Sequence, residues 1–200
     1  MEHLGTYIAF DLEFTEYKGQ FHLIQVSAVK MQDGLEVGQF DSYVHTDVPL
    51  KSFINGLTGI TSEHLLHAPS VGTVLADFQQ FIGETALIGY NGKKSDIPIL
   101  LENGLDVAAL YQVDVYEEAL ERRSTDLHGI ANLRLATVAS FLGLKGRAHN
   151  SLEDARMTAQ IYEKFKEVDE SKSWLNEQDK DFQGTFNGLD LSAFFGGDDA

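Results

Sequence analysis

The stretch that decides the fold is Y-I-A-F-D-L-E-F, residues 7–14. Its apolar residues predict a β-strand, and because strand side chains alternate between faces, Asp11 and Glu13 share one face. Two carboxylates this close repel each other unless a cation or a shared proton relieves the repulsion, so the pair indicates a divalent metal site. The alternative at this point is a half-exposed strand whose wet face carries two solvated carboxylates.

Composition predicts one folded domain with a sizeable core, since 43% of the 200 residues are hydrophobic. The absence of cysteine excludes disulfides and thiolate sites and leaves carboxylates and the seven histidines as metal ligands. No apolar run reaches the length of a membrane span, and residues 1–3 lead into mixed sequence without an export signal. We therefore expect a cytoplasmic protein with no membrane partner.

The net charge of −16 argues against binding long nucleic acid through a broad basic surface, because such binding depends on neutralised phosphates. Residues 167–200 hold nine acidic and two basic residues, so much of the excess lies at the C-terminal end. The periodicity of apolar residues also fades there. We therefore predict one folded domain over residues 1–166 and an acidic C-terminal extension or tail over residues 167–200.

The order of predicted elements indicates an α/β fold. Two further strands flank Asp33-Gly34, and helices then alternate with two more strands, with Ser70 as the predicted N-cap of one helix. The last predicted helix runs from Ser151 to about Lys166. Together these elements predict a mixed five-stranded sheet, an antiparallel meander followed by β-α units, with helices on both faces and the first strand central.

Two later positions carry the same chemistry as the first strand. Asp96 follows a buried strand at the entry to a helix, where capping alone would also explain it. In R-A-H-N-S-L-E-D-A-R, residues 147–156, His149 lies in a turn and Asp154 in the first turn of the last helix. Ser151 and Asp154 also resemble a capping box, which is the structural alternative.

Taken together, D-x-E, then N-x-x-x-x-D from Asn91, then H-x-x-x-x-D resemble the DEDDh branch of DnaQ-like 3′→5′ exonucleases. The resemblance covers Thr6 to about Phe165 and includes L-T-G-I-T, residues 57–61. Ser151 stands where Ala is usual in the family, and Phe14 where many members have Thr. The resemblance implies an RNase H-like fold.

It also implies a metal-dependent enzyme that hydrolyses the 3′ end of DNA and releases nucleoside 5′-monophosphates. Its cofactors would be two divalent cations, Mg²⁺ or Mn²⁺, and its general base would be His149. The metal ligands would be Asp11, Glu13, Asp96 and Asp154. An RNA-trimming exoribonuclease and a non-catalytic nucleic-acid-binding or regulatory module are the alternatives.

The substrate in this reading is a single-stranded 3′ end of DNA or RNA. The residues that match family contacts to the terminal nucleotide are Phe14, Leu57 and Thr58, although the first two could equally be core. Basic residues beside the motifs either guide phosphates or are solvated loop residues; they are Lys93, Lys94, Lys145 and Arg147.

The end of the chain suggests a protein partner. The segment G-L-D-L-S-A-F-F-G, residues 188–196, loosely resembles sliding-clamp-binding peptides but lacks their leading glutamine. It predicts a polymerase or sliding-clamp partner for the C-terminal tail. The alternative is an unpacked tail or a helix that lies back on the domain.

Overall fold

The structure, a computed structural model, describes residues 3–144 and 150–187, with side chains described up to residue 175. His149, Lys145 and Arg147 lie outside the described residues, as does the segment 188–196. The chain divides into two compact units, residues 1–163 and residues 164–200. The candidate site described below is built entirely from the first unit.

One mixed five-stranded sheet forms the centre of the first unit, as predicted. Its strands are β1 (Thr6–Tyr17), β2 (Gln20–Gln32), β3 (Leu35–Tyr43), β4 (Leu87–Gly89) and β5 (Gln112–Asp114). The order across the sheet is β3-β2-β1-β4-β5. Strands β1, β2 and β3 pair antiparallel, whereas β4 pairs parallel with β1 and with β5. The prediction that the first strand is central is confirmed.

The turn between β2 and β3 forms at Asp33-Gly34, where the sequence predicts it. Both residues have positive φ, 50° and 78°, as a tight hairpin requires. The register of β1 against β2 shifts between Glu13 and Phe14, which marks a β-bulge beside the acidic pair. Bulges re-aim side chains and often lie next to functional sites.

In the described residues, seven α-helices follow the meander. They are α1 (Ser52–Thr58), α2 (Ser62–Leu66), α3 (Val71–Ile82), α4 (Asp96–Glu102), α5 (Val115–Glu121), α6 (Leu135–Phe141) and α7 (Ser151–Asn187), with a short 3₁₀ turn at Arg122–Ser124. Ser70 caps α3 as predicted, since its side chain accepts a hydrogen bond from the Thr73 N–H.

The two faces of β1 meet different helices. On one face, Ile8, Phe10 and Leu12 pack in a buried cluster with α3 and α4 residues such as Phe78 and Leu100. The opposite face, which carries Tyr7, Ala9, Asp11 and Glu13, meets the first turns of α7. The alternation read from the sequence therefore separates the apolar core from the acidic face.

Helix α7 is longer than the sequence predicts, because it continues from Ser151 to Asn187 rather than ending near Lys166. The prediction followed apolar periodicity, which fades after Val168. A helix can form without a periodic apolar face when its residues have sufficient helix propensity. Residues 151–183 contain neither glycine nor proline to interrupt a helix.

Among the helices of the described residues, none has both the length and the apolar character needed to cross a membrane.

Candidate active site

Strand β1 and the start of α7 bring the first and last motifs together. The Ser151 hydroxyl donates a hydrogen bond to the Asp11 carbonyl oxygen at 2.9 Å. Further along, the Tyr7 hydroxyl donates to the Glu163 carboxylate at 2.8 Å. Tyr7 contacts the later part of α7, at Glu163, whereas Asp11 contacts its beginning, at Ser151. Helix α7 therefore runs antiparallel to β1. Asp154 in its first turn therefore lies at the acidic end of the strand.

The capping explanation for Asp154 is not what the structure shows. Asn150 fills that role, since its side-chain oxygen accepts from the Glu153 N–H at 3.2 Å. Ser151, the proposed first member of a capping box, donates to β1 instead. Asp154 is 9% exposed. Its carboxylate is therefore buried near the acidic pair rather than closing a helix end.

Asp96 reaches the same end of β1 from the turn between β4 and α4. One carboxylate oxygen accepts from the Leu12 N–H at 3.2 Å, and the other accepts from the Ser95 hydroxyl. Ser95, not Asp96, is the N-cap residue of α4. Because Leu12 stands between Asp11 and Glu13, this contact fixes Asp96 beside the strand that carries the pair.

The turn that carries Asp96 is folded unusually tightly. A Cβ atom on Gly89 would lie 3.1 Å from the Gly92 Cα, and one on Gly92 would lie 3.2 Å from the Gly89 Cα. Between them, Asn91 adopts the left-handed conformation with φ of 59°. The two glycines therefore allow the chain to double back at the end of β4 and present Asp96 to β1.

Asp114, at the end of β5, holds this turn from the other side. One of its carboxylate oxygens accepts from the Asn91 N–H at 2.8 Å, and the other accepts from the Lys93 N–H at 3.2 Å. The first oxygen also accepts from the Tyr116 N–H at 3.0 Å, which caps α5. Asp114 is 3% exposed and was not singled out from the sequence. An aspartate between a short strand and a helix is the signal that could have found it.

The four predicted carboxylates influence one another electrostatically. Loss of solvation, followed by the charges of Asp154 and Asp96, raises the pKa of Glu13 from 4.5 to about 7. Burial raises the pKa of Asp96 to about 6, although the hydrogen bonds from Ser95 and Leu12 oppose the shift. The pKa of Asp11 lies well above its usual range because it is buried and because the other three carboxylates are near it. The structure thus places together carboxyl groups whose ionisation is disfavoured unless a cation is present.

This donor set suits a divalent cation in its chemistry, since Mg²⁺ and Mn²⁺ prefer carboxylate oxygens and a cation would relieve the repulsion. The side chains do not form a finished coordination shell, however. In the described part of the chain, no three His, Asp or Glu side chains are arranged to hold one metal ion. Both oxygens of Asp96 instead accept hydrogen bonds within the protein, from Leu12 and Ser95.

The predicted substrate residues lie in different surroundings. Phe14 is partly buried against the cluster between the sheet and α3 and α4, and it packs edge-on against Phe21 at 5.3 Å. Leu57 is 46% exposed on α1. The Thr58 hydroxyl donates to the Ile54 carbonyl at 2.9 Å. Leu57 is therefore the best placed of the three to contact a ligand, and all three assignments stay predictions.

The family that matches this chain is the RNase_T exonuclease family, over residues 8–162. Among similar sequences, the PolC-type DNA polymerase III of Caldanaerobacter subterraneus is 28% identical over 188 residues, which cover 88% of this chain and 13% of that protein. The PolC-type DNA polymerase III of Streptococcus sanguinis is 39% identical over 88 residues, which cover 44% of this chain and 6% of that protein. The chain thus spans a small part of the length of these relatives.

Solved structures share the fold at low sequence identity. Cell-death related nuclease 4 superposes with a TM-score of 0.68 at 17% identity, covering 82% of this chain and 64% of that chain. E. coli exonuclease I in complex with a dT13 oligonucleotide gives 0.66 at 17% identity, covering 79% and 40%. The nuclease domain of 3′hExo, a DEDDh family member bound to rAMP, gives 0.61 at 19% identity, covering 78% and 89%.

The predicted α/β architecture and the resemblance drawn from three short motifs are therefore both confirmed. The family match extends from Ile8, in the first strand, to Tyr162, in the last helix, and so includes every motif that carried the resemblance. This chain belongs to the RNase_T family of DnaQ-like exonucleases.

Proposed function

We propose that this protein is a metal-dependent 3′→5′ exonuclease that hydrolyses the terminal phosphodiester bond of single-stranded DNA and releases nucleoside 5′-monophosphates. The observation that carries the proposal is the convergence of carboxylates from β1, α4 and α7, inside a domain of the exonuclease family, with raised pKa values at Asp11, Glu13 and Asp96. Carboxylates held together at such a cost are typical of a site that works with a cation bound.

The residues that would hold two Mg²⁺ or Mn²⁺ ions are Asp11, Glu13, Asp96 and Asp154. When bound, such a pair of ions supplies positive charge at the reacting phosphate and lowers the pKa of the attacking water. Asp96 accepts one hydrogen bond at each carboxylate oxygen, from Leu12 and Ser95, and each oxygen keeps a further lone pair that could bind a cation. The backbone positions of β1 and α7 need no change, because they are held by Ser151 and Tyr7.

His149 is the proposed general base. It lies outside the described residues, so its role rests on the motif H-x-x-x-x-D and on its position five residues before Asp154. A histidine with a pKa near neutrality would accept the proton of the attacking water as the phosphorus–oxygen bond forms. The 3′ oxygen of the shortened strand is then the leaving group.

DNA is the proposed substrate because the similar sequences belong to PolC-type DNA polymerase III. An RNA-trimming exoribonuclease is the second candidate, favoured by the structural likeness to 3′hExo bound to rAMP. A non-catalytic module is a weaker alternative, because the sequence retains all five residues of the exonuclease motifs. They are Asp11, Glu13, Asp96, His149 and Asp154.

A cytoplasmic location is part of the proposal, in keeping with the proposed action on DNA. The division into an exonuclease domain, residues 1–166, and an acidic extension, residues 167–200, is proposed as well, and the family match over residues 8–162 lies inside the first. A sliding clamp or polymerase is the proposed partner of the extension. A pull-down with a purified clamp tests this partner by comparing the wild-type protein with a variant in which Phe194 and Phe195 are changed to Ala. Equal capture of the two proteins rejects the proposed partner.

The test of the function is incubation of 5′-labelled single-stranded DNA and RNA with Mg²⁺, Mn²⁺ or EDTA, with products separated by length. We expect a ladder that shortens from the 3′ end with either metal and no products in EDTA. Asp154→Asn should abolish the ladder, whereas Asp77→Asn, an exposed change on α3, should not. Unshortened substrate under every metal condition, or cleavage inside the strand, would reject the assignment.

A further inference from the structure

A cavity of about 750 Å³ lies beside the acidic centre, and Asp154 forms part of its wall. The rest of the wall comes from the end of β4 with the turn that follows, from α5, and from the segment that leads into α6. Its volume lies in the range of pockets that hold small ligands, and a nucleotide is a ligand of that kind. Asn91, Lys94 and Asp154 belong to or adjoin the sequence motifs, whereas Tyr116 and Arg134 were not indicated by any of them.

Two cationic side chains line the cavity, Lys94 and Arg134. Neither forms a salt bridge within the described part of the chain. The neighbouring Lys93 differs, because its ammonium lies 2.8 Å from the Glu117 carboxylate. Lys94 is close enough to lower the pKa of Glu117, but its effect is smaller than that of Lys93. In a chain of net charge −16, two cations without ion-pair partners at one cavity favour an anionic ligand.

Two tyrosine rings form another part of the wall. Tyr90 and Tyr116 pack edge to face, with ring centroids 5.9 Å apart and planes at 79°. The Tyr90 hydroxyl donates to the Leu133 carbonyl at 2.7 Å, which joins β4 to the segment before α6. The hydrogen bond thus holds the Tyr90 ring, and the Tyr116 ring packs against it. A fixed aromatic ring can stack a base of any identity.

We propose that this cavity binds one nucleotide of the single strand, next to the nucleotide being removed. Lys94 and Arg134 would contact its phosphates and Tyr116 its base. The inference rests on the proposed function, since it places the strand next to the carboxylates. It also assigns different roles to two adjacent lysines, because Lys94 lines the cavity whereas Lys93 forms a salt bridge with Glu117.

The experiment measures binding of a short 5′-labelled oligothymidylate in EDTA by fluorescence anisotropy, over a series of salt concentrations. We expect Lys94→Gln and Arg134→Gln each to weaken binding about fivefold or more, as for loss of a charge-assisted hydrogen bond. Each should also reduce the slope of log K against log salt by about 0.7, the value for one phosphate contact on a single strand. Tyr116→Leu should weaken binding about fivefold or more with an unchanged slope.

Lys93→Gln is the matched control, because it removes the same charge from the neighbouring position and should leave binding and slope close to wild type. Equal thermal stability of the four variants shows that each is folded. With Mg²⁺, the Lys94 and Arg134 variants should raise KM and change kcat little.

Wild-type affinity and slope in the Lys94 and Arg134 variants would overturn the inference. So would a loss of affinity in Lys93→Gln equal to that in Lys94→Gln, or a wild-type protein that binds no oligonucleotide. Because binding is measured without metal, failure of the inference is separate from failure of the proposed function. A protein that binds as expected but never shortens the strand rejects only the exonuclease activity.

Discussion

Asp114 and Asn91 are joined by a hydrogen bond of 2.8 Å, from the Asn91 N–H to a carboxylate that is 3% exposed. Asn91 has a positive φ, and the turn it begins ends at Asp96. A buried acceptor on β5 therefore sets the direction of a carboxylate that faces β1. The hydrogen bonds of Asp114 go to Asn91, Lys93 and Tyr116 rather than to a predicted metal ligand, so it positions the turn. Its charge also contributes to the raised pKa of Asp96.

We expect Asp114→Asn to raise the Mg²⁺ concentration needed for half-maximal activity about tenfold, the lower end of the effects seen for groups that orient metal ligands. The asparagine keeps one acceptor for the Asn91 N–H but places an NH₂ where Lys93 now donates. A metal titration of activity at saturating DNA measures this. Asp77→Asn is the control at an exposed position. An unchanged metal titration curve in Asp114→Asn would show that the turn from Asn91 to Asp96 keeps its conformation without Asp114.

Asp11→Asn and Asp154→Asn should each lower kcat by about 10³-fold or more, the scale of losing a group at the reacting centre. The reason is that each removes a charged ligand of the proposed ions. Circular dichroism and thermal melts should show a folded protein in both variants. Turnover within tenfold of wild type in either variant contradicts the ligand assignment.

His149→Ala should slow hydrolysis by about 10²-fold, as expected when a general base is lost, with little change in metal affinity. The plot of log kcat against pH should also lose its rise near neutrality, because that rise reports the deprotonated imidazole. Single-turnover rates over pH 5.5–8.5 measure both effects. A loss of less than tenfold with an unchanged pH profile assigns the base to another group.

Glu13→Gln should stabilise the metal-free protein at pH 8 and have little effect at pH 4. The pKa of Glu13 is raised to about 7 in the folded state, so the folded protein holds this proton more tightly than the unfolded chain. The free energy of unfolding therefore falls as pH rises from about 4.5 to about 7. The gain at pH 8 is about 3 kcal/mol at most, since each pKa unit corresponds to about 1.4 kcal/mol.

Urea unfolding in EDTA at several pH values measures that gain. Asp77→Asn is again the control, because it neutralises an exposed carboxylate on α3. A Glu13→Gln variant that is less stable than wild type at pH 8 would mean that the carboxylate is better solvated than its surroundings indicate.

Mg²⁺ or Mn²⁺ should raise the Tm of the wild-type protein at pH 8 and much less at pH 5. Protons compete with the cation for Asp96 and Glu13, whose pKa values are about 6 and about 7. At a metal concentration of 100 times Kd, binding to the folded state contributes about 2.7 kcal/mol. Thermal melts with and without metal test this, and a Tm gain that is equal at both pH values contradicts the carboxylate site.

The elements that bear the motifs could be predicted from sequence because each depends on a short pattern. The alternation in residues 7–14 places Asp11 and Glu13 on one face of β1, and that face does meet α7. The role of Asp114 could not be predicted, because its three acceptor contacts depend on how β5 lies beside the β4 turn. Lys93 and Lys94 are likewise adjacent residues of one type, so the sequence does not distinguish them. The structure does, because Lys93 contacts Glu117 whereas Lys94 lines the cavity.

The hydrogen bond between Ser151 and Asp11 joins residues 140 positions apart in the chain. Strand β1 leaves the ribosome before α7, and Asp154 follows only after six helices and four further strands have been made. A nascent or truncated chain therefore carries the first two carboxylates without the last, and pairing of such distant segments is slow to form. The full set of four carboxylates therefore comes together only after α7 has been made and has packed against β1.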